Sequence, residues 1–348
     1  MRSLPQAALG LAALLLVGFA VRPVQACAGC RNPSLATSRG SQGELQAGYF
    51  RLGASLTGTT VHVVHEAGCA DPDPAVCDDV PPQSTYMHDQ NLYPVELRVA
   101  AEYGISELWG VELQLPFRAV TTTIEYTTPD GADYEPLDPD VHHRDETVLG
   151  PVDPWLLARI GGFASKWWLA TRPGVSIPLG KTQENPFALG DRGIRHQHIQ
   201  LGTGTFDPLL ILEASCKIDS WDVAFFAQGQ ASLYDNKHGY RAPWKVAGGA
   251  MVGRDLLEKS NASVGLETFH EAAERWDGKI RQDGNLGRTE LLGAVGARQT
   301  LGNDNQLSLS LRFSLWRKIV VGDEPPGTLS SPVVLALGFT RVFDTSSK

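Results

Sequence analysis

Two pairs of cysteines have spacings that suggest chemistry. Cys27 and Cys30 show the C-x-x-C pattern of redox and metal motifs, but Arg31 stands where covalent haem attachment needs histidine. A local disulfide, which an oxidising compartment permits, is favoured over thiol–metal chemistry. Cys69 and Cys77 lie in one Asp- and Pro-rich segment, where a disulfide would close a small loop. Cys27 is also a lipidation candidate, because small residues precede it.

Histidines in predicted loops offer a second kind of chemistry. His142 and His143 are adjacent, and the rings of His196 and His198 would project to one side of an extended segment. Imidazoles with nearby carboxylates bind zinc, copper or nickel. The alternatives are a divalent-metal site and ordinary solvated loop residues, and the sequence indicates no other cofactor.

Charged residues recur on the polar faces of predicted strands. If these strands close into a barrel, the charges face its interior, where they can pair and narrow the lumen or form a selective path. The predicted lumen-lining residues are Glu96, Arg98, Glu102, Glu112, Arg118, Arg159, Glu213, Lys217, Glu267, Arg298 and Arg312.

Nothing in the sequence has the spacing of a catalytic centre. There is no G-x-S-x-G elbow, no H-E-x-x-H and no phosphate loop, so we do not expect an enzyme. Gly202 and Gly204 have part of the spacing of a dinucleotide fingerprint, but no helical pattern follows them. They are better explained as structural glycines, which let the chain re-enter a strand after a long loop and let neighbouring backbone segments approach each other closely.

The elements that carry these residues are long strands with one apolar and one polar face. Apolar residues occupy the odd positions from Val95 to Tyr103 and from Leu307 to Leu315, and mostly polar residues occupy the even ones. A period of two over nine or more residues indicates a strand long enough to cross a bilayer. Soluble strands are usually about 5–6 residues long.

The breaks between strands alternate between short turns and long connections, as in outer-membrane barrels. We predict strands at 43–65, 91–104, 109–126, 151–163, 166–180, 204–219, 221–235, 241–256, 260–275, 288–301, 306–320 and 332–343. Aromatic residues at their ends, including Trp155, Trp168 and Trp276, are expected to form two interfacial bands. The predicted fold is an all-β, transmembrane, antiparallel up-and-down barrel of about twelve strands with both termini periplasmic; the alternative is a large soluble β-sandwich.

The amino terminus has the pattern of a secretory signal peptide. An uncharged run from Ala7 to Val21 is shorter than a typical membrane span and precedes a small-residue cleavage site at Ala26. Removing residues 1–26 lowers the net charge from −9 to −11, because Arg2 and Arg22 are lost. Such acidity argues against nucleic acid as a partner. The expected organisation is a signal peptide (1–26), a periplasmic segment (27–42), a barrel (43–343) and a tail (344–348).

Two segments resemble motifs of a known family. The sequence PGVSIPLGK spans Pro173 to Lys181, and LGTGTFDP spans Leu201 to Pro208. They are similar to the P-x-G-K/D turn and the G-x-G-x-x-D-P segment of bacterial outer-membrane barrels assigned to phenol meta-cleavage pathways or to transport. The similarity covers roughly residues 170–210. It implies an outer-membrane barrel and the uptake of hydrophobic or aromatic compounds.

Two functions are consistent with these patterns. The first is a narrow channel or transporter for small solutes, which include hydrophobic or aromatic compounds if the resemblance holds. The second is a non-conducting barrel that acts as a surface scaffold or binds metal or ligand through its outer loops. The partners would be outer-membrane lipid and a small-molecule solute; the sequence does not define an oligomeric state.

Overall fold

Twelve antiparallel strands form a closed barrel. A computed structural model describes residues 45–66, 87–128, 130–134, 144–281, 284–302, 304–322, 328–330 and 333–345. The barrel strands are β1 (Tyr49–Thr59), β2 (Met87–Gly104), β3 (Trp109–Thr127), β4 (Trp155–Ala164), β5 (Trp167–Ser176), β6 (Asp207–Ile218), β7 (Trp221–Gln230), β8 (Lys245–Leu257), β9 (Ser260–Glu271), β10 (Arg288–Leu301), β11 (Asn305–Ile319) and β12 (Val334–Asp344).

Each strand pairs with the next in sequence, and β12 pairs with β1 to close the ring. The closing register runs from Tyr49 opposite Asp344 to Thr59 opposite Val334. The fold prediction of a twelve-stranded antiparallel barrel is therefore confirmed. No helix in the described part of the chain is long and apolar enough to span a bilayer.

The two ends of the barrel differ. At one end, here called the turn end, the strands are joined by the short segments 105–108, 165–166, 219–220, 258–259 and 302–304. At the other, the loop end, the connections are long. The first described residues also lie at the turn end, where Gly48 N–H donates to Gly104 C=O at 2.8 Å. The alternation of short and long connections follows the predicted pattern, and the connection predicted as the short exception, 236–240, is in fact the long segment 231–244.

Extra short strands extend the wall at the loop end and differ from the predicted boundaries. The predicted strand 43–65 is interrupted at Thr60, after which Val61–Glu66 pairs with the start of β2. Glu146–Pro151 pairs with the second half of β3, whose first half pairs with β4. Three further short strands are Tyr240–Arg241, Arg275–Trp276 and Thr328–Ser330, and the helix α1 is Pro186–Gly190.

Exposure alternates along the strands. In β3 the residues from Trp109 to Phe117 are exposed at odd positions and buried at even positions. The exposed side chains are apolar, and the buried side chains on the same strand include Glu112 and Gln114. An apolar outer surface around a polar interior is the reverse of a soluble protein and suits a surrounding bilayer.

The predicted aromatic bands are only partly correct. Exposed rings lie near the turn end at Tyr103, Trp109, Phe163 and Trp221, and near the loop end at Tyr93, Tyr234 and Trp244. Trp155, Trp168 and Trp276 are instead buried. Trp155 and Trp168 have the inward parity of their strands and pack under guanidinium groups, with Cζ of Arg98 4.4 Å from the Trp155 ring centroid.

Candidate functional site

A buried cluster of charges fills one side of the barrel interior. Its centre is Glu102 on β2, which has no exposed surface. Arg159 Nε lies 2.7 Å from Glu102 Oε1, Arg172 Nη1 lies 3.3 Å from the same oxygen, and Arg51 Nη1 lies 3.3 Å from Oε2. Arg159 also donates from Nη2 to the Leu45 carbonyl at 3.0 Å. Strands β1, β2, β4 and β5 and the chain before β1 thus meet at one carboxylate.

Arg172 continues the cluster towards β3 and β6. Its Nη1 is 2.6 Å from Glu112 Oε2, and its Nε is 3.0 Å from Glu213 Oε2. The Gln114 amide then bridges two groups, because Nε2 donates to Glu112 at 2.8 Å and Oε1 accepts from Arg98 at 2.8 Å. Six consecutive strands, β1 to β6, are therefore linked by one network.

Glu96 lies at the end of the network that is nearer the loop end of the barrel. Its two oxygens accept from Arg98 Nη2 at 2.7 Å and Arg118 Nη2 at 2.6 Å. Buried charges cost several kcal/mol unless they are paired, and this network pairs each of them. The cluster contains seven of the eleven predicted lumen-lining residues: Glu96, Arg98, Glu102, Glu112, Arg118, Arg159 and Glu213.

The sequence prediction missed two members of this cluster. Arg51 and Arg172 both lie on strands that were predicted, and both are buried. Their positions follow the same rule as the others, since Arg51 adjoins the exposed Leu52 and Arg172 has the parity opposite to exposed Leu169. Strict alternation along β1 and β5 would have found them.

Towards the turn end, the interior face of the remaining strands, β7 to β12, is built mainly from small residues, whereas nearer the loop end it carries the buried charges Glu271, Glu290 and Arg317. A cavity of about 460 Å³ lies against it and is bounded on the far side by Arg51 and Arg98. Its small lining residues include Ala224, Gly253, Ser263, Ala294, Gly296, Ser308, Ser310, Ala336 and Gly338. The barrel interior therefore has a packed charged arc and an open arc.

Two predicted lining residues, Glu267 and Arg312, meet at the wall of this cavity. Arg312 Nε lies 2.9 Å from Glu267 Oε2, and both residues are 6% exposed. Arg312 Nη1 has no hydrogen-bond partner among the residues that the structure describes. The pair spans β10, because Arg312 is in register with Ala294 and Glu267 with Leu292.

The other two predicted lining residues, Lys217 and Arg298, lie at the turn-end rim. Lys217 Nζ is 2.6 Å from Asp255, and Arg298 Nη2 is 3.0 Å from Asp222. Asn261 joins the pairs by donating to Asp222 at 2.9 Å and to Asp255 at 3.0 Å. Both basic side chains are about half exposed, so these ion pairs contribute little to stability.

Apolar side chains fill the interior at the loop end and form what we call the apolar plug. The connection 177–206 contributes Ile199 and Leu201, which pack against inward-facing residues from both sides of the ring. The cluster comprises Val61, Leu92, Val120, Val148, Ile199, Leu201, Leu286 and Ile319. Seven of these eight are at most 4% exposed, so their packed side chains exclude water from the volume that they occupy.

The plug connection is fixed by the segments that carried the family resemblance. Asp153 accepts from Gly180 N–H at 2.7 Å with Oδ1, and from Thr203 N–H at 2.7 Å and Thr203 Oγ1 at 2.9 Å with Oδ2. A Cβ on Gly202 would lie 2.6 Å from the Gly180 carbonyl, so this close approach requires glycine. Burial raises the pKa of Asp153, and the three hydrogen bonds only partly offset this effect.

Replacing Asp153 with asparagine should loosen the plug connection. An amide has one acceptor oxygen, so either the Gly180 or the Thr203 N–H would face an NH₂ group and lose its partner, at a cost of about 1–3 kcal/mol. We expect faster proteolysis within 177–206 in the folded, detergent-solubilised barrel. The control is Asp130→Asn, in an exposed turn where the Asp130 carboxylate accepts from Thr128 Oγ1 and from its own backbone N–H. Equal cleavage rates for the two variants would contradict this role.

A second aromatic group covers the loop end beside the plug. Phe187 of α1 packs edge-on against Trp276, with ring centroids 6.0 Å apart, and Tyr240 stacks on Trp276 at 4.7 Å. His198 contacts Phe187 at 5.1 Å, and the His196 and His198 rings are also 5.1 Å apart. The two predicted metal-binding histidines of this segment are therefore buried in an aromatic cluster.

The described residues contain no group of three or more His, Cys, Asp or Glu side chains placed to hold a metal. His142 and His143 lie outside the described residues, so metal binding by this pair stays a prediction. Cys27, Cys30, Cys69 and Cys77 also lie outside them, and their disulfides and the lipidation of Cys27 stay predictions. Cys216 is buried and carries a free thiol.

A closed ring of membrane-length strands with an apolar exterior and a charged interior defines a class of protein. The chain is a β-barrel of the bacterial outer membrane. This conclusion agrees with the barrel and the location that the family resemblance implies.

Comparison with known proteins supports the same class. No protein-family model and no curated protein sequence matches the chain. The COG4313 outer membrane channel from Pseudomonas putida F1 matches with a TM-score of 0.57 and 13% identity, covering 88% of this chain and 100% of that one. The match to the CymD monoaromatic hydrocarbon channel covers 86% of this chain and 89% of that one at 10% identity, with a TM-score of 0.38. At these identities the likeness shows the fold alone.

Proposed function

We propose that this chain is a narrow channel that admits small, mainly apolar organic solutes through the outer membrane. In this proposal the loop end faces outward and the turn end, with both termini, faces the periplasm. The observation that carries the proposal is the apolar plug, a packed group of aliphatic side chains in the lumen at the loop end, which an entering solute has to displace. Such a site favours apolar solutes over sugars or ions, because burial releases ordered water from both surfaces.

The open arc supports passage beyond the plug. Its cavity of about 460 Å³ compares with the roughly 150 Å³ that suffices to bind benzene in an engineered apolar cavity. A one-ring solute therefore fits in this cavity, whereas the central side chains of the charged arc are packed with at most 1% of their surface exposed. The Pseudomonas putida F1 barrel with which this fold superposes is itself described as an outer membrane channel, which is consistent with the proposal.

Ion current through the barrel in planar bilayers tests the proposal. We expect a small conductance that falls, in a saturable manner, when toluene is added and does not fall with glucose at the same concentration. A correctly inserted barrel that passes no current would overturn the channel and favour the alternative, a surface scaffold that binds through its loops. A current blocked equally by both solutes would overturn the preference for apolar molecules.

A further inference from the structure

We infer that the permeation path runs along strands β7 to β12 and the adjoining face of β1, and that the Glu267–Arg312 pair is its constriction and its contact point for an oxygen-bearing solute. The inference rests on the proposed channel function and adds a route, a gate and a class of solute to it. The solutes are small uncharged organic molecules that carry an acceptor oxygen, such as an alcohol or a ketone.

The charged arc is closed to solutes because its side chains fill it. Glu102, Glu112, Arg159 and Arg172 are at most 1% exposed, and their charged atoms are 2.6–3.3 Å apart. Parting them would leave buried charges without partners, which costs about 3–5 kcal/mol for each broken pair. At the level of the cavity, a solute therefore meets a lower barrier on the other side of the lumen.

The open arc provides a route because its interior residues are small. Ser310 on β11 is in register with Gly296 on β10 and with Ala336 on β12, so three adjacent strands have little side-chain volume at one level. Hydroxyl groups of Ser55, Ser263, Ser308 and Ser310 line the same cavity. This wall is polar without being charged, which suits uncharged solutes with a hydrogen-bonding group.

The Glu267–Arg312 pair stands where this route narrows. Both side chains line the cavity and reach each other across Ala294, which is too small to separate them. Beyond the pair, towards the loop end, the inward-facing Leu292 and Phe269 are buried. A solute that leaves the apolar plug for the cavity therefore passes this pair.

Arg312 has a donor to offer such a solute. Its Nε is engaged by Glu267, whereas Nη1 is covered by its neighbours and has no hydrogen-bond partner in the described part of the chain, so a small rotation of the side chain towards the cavity would present it to a solute. A buried donor without a partner costs about 1–3 kcal/mol, and an acceptor oxygen on a passing molecule would remove that cost. Because Glu267 balances the charge of Arg312, the contact does not require an anionic solute.

Paired substitutions test the route without leaving an orphan charge. In planar bilayers we expect E267A/R312A to raise conductance roughly twofold by widening the constriction, and S310W to lower it by a similar factor by filling the open arc. The matched control is D235A/R241A, which removes an exposed arginine–carboxylate pair from a loop-end connection outside the cavity lining and should conduct like the wild-type protein. Wild-type current should also be blocked at lower concentrations by benzyl alcohol than by toluene, and E267A/R312A should lose this difference.

The outcomes separate the two proposals. If the wild-type barrel conducts but E267A/R312A and S310W conduct equally well, the route is wrong and the channel function stands. If benzyl alcohol and toluene block the wild-type protein equally, the role of Arg312 as a donor is wrong. If the inserted wild-type barrel is silent, the channel function itself fails. Folding of each variant is checked by its heat-dependent mobility in detergent gels.

Discussion

Replacing Ile199 and Leu201 with serine should increase ion conductance several-fold and abolish the block by toluene. The two side chains are 4% and 3% exposed and join opposite sides of the barrel interior at the loop end. Removing them replaces a dehydrated segment of the lumen with one that water can enter, and ions cross hydrated segments far more readily than dry ones. Single-channel recordings of the double variant provide the measurement.

A matched control lies in the same connection. Leu179 and Ile194 are 66% and 42% exposed, so replacing both with serine changes the same chemistry outside the plug. We expect this control to conduct like the wild-type protein and to retain the block by toluene. If both double variants behave alike, the apolar plug does not control the lumen.

Replacing Glu102 with alanine should be the most destabilising single change in the barrel interior. Glu102 contacts three guanidinium groups, and its removal leaves them with excess positive charge in a dry environment. Removing one partner of a buried pair typically costs about 3–5 kcal/mol. We expect a clear fall in the urea concentration at which tryptophan fluorescence reports unfolding in detergent.

Two further variants make this test specific. Glu107→Ala removes the same group from an exposed turn and should leave the unfolding midpoint unchanged. Glu102→Ala combined with Arg159→Ala should be less destabilised than the sum of the two single changes, because the double variant leaves fewer buried charges unbalanced. A midpoint for Glu102→Ala equal to that of Glu107→Ala would show that the cluster is hydrated rather than dry.

The strands were predictable because their signal is local. In a membrane barrel successive residues of a strand face lipid and lumen in turn. The apolar and polar residues from Val95 to Tyr103 therefore alternate in the sequence itself. The predicted strand at 288–301 coincides with β10, and that at 306–320 differs from β11 by one residue at each end. The short strand Glu146–Pro151 was missed because it pairs with the second half of β3, which extends past the end of β4. The sequence does not show that β3 is longer than its neighbour in the barrel.

The interior was less predictable because it depends on distant contacts. Ile199 and Leu201 lie in a connection without regular secondary structure, and nothing local tells an apolar pair in such a segment to enter the lumen. Likewise, the sequence predicted that Glu96 and Glu267 lie on polar strand faces, but it did not predict that their surroundings differ. That difference comes from the neighbouring strands, since arginines surround Glu96 and small residues surround Glu267.

The closing pair of β1 and β12 has a consequence for how the chain is made. Tyr49 and Asp344 are 295 residues apart, yet they are neighbours in the sheet. Until the final strand has been synthesised and delivered, one edge of β1 has no partner and can pair with other chains. Such long-range closure is slow and leaves an intermediate open to aggregation. We therefore expect transit to the membrane to need a factor that shields this edge until the barrel closes.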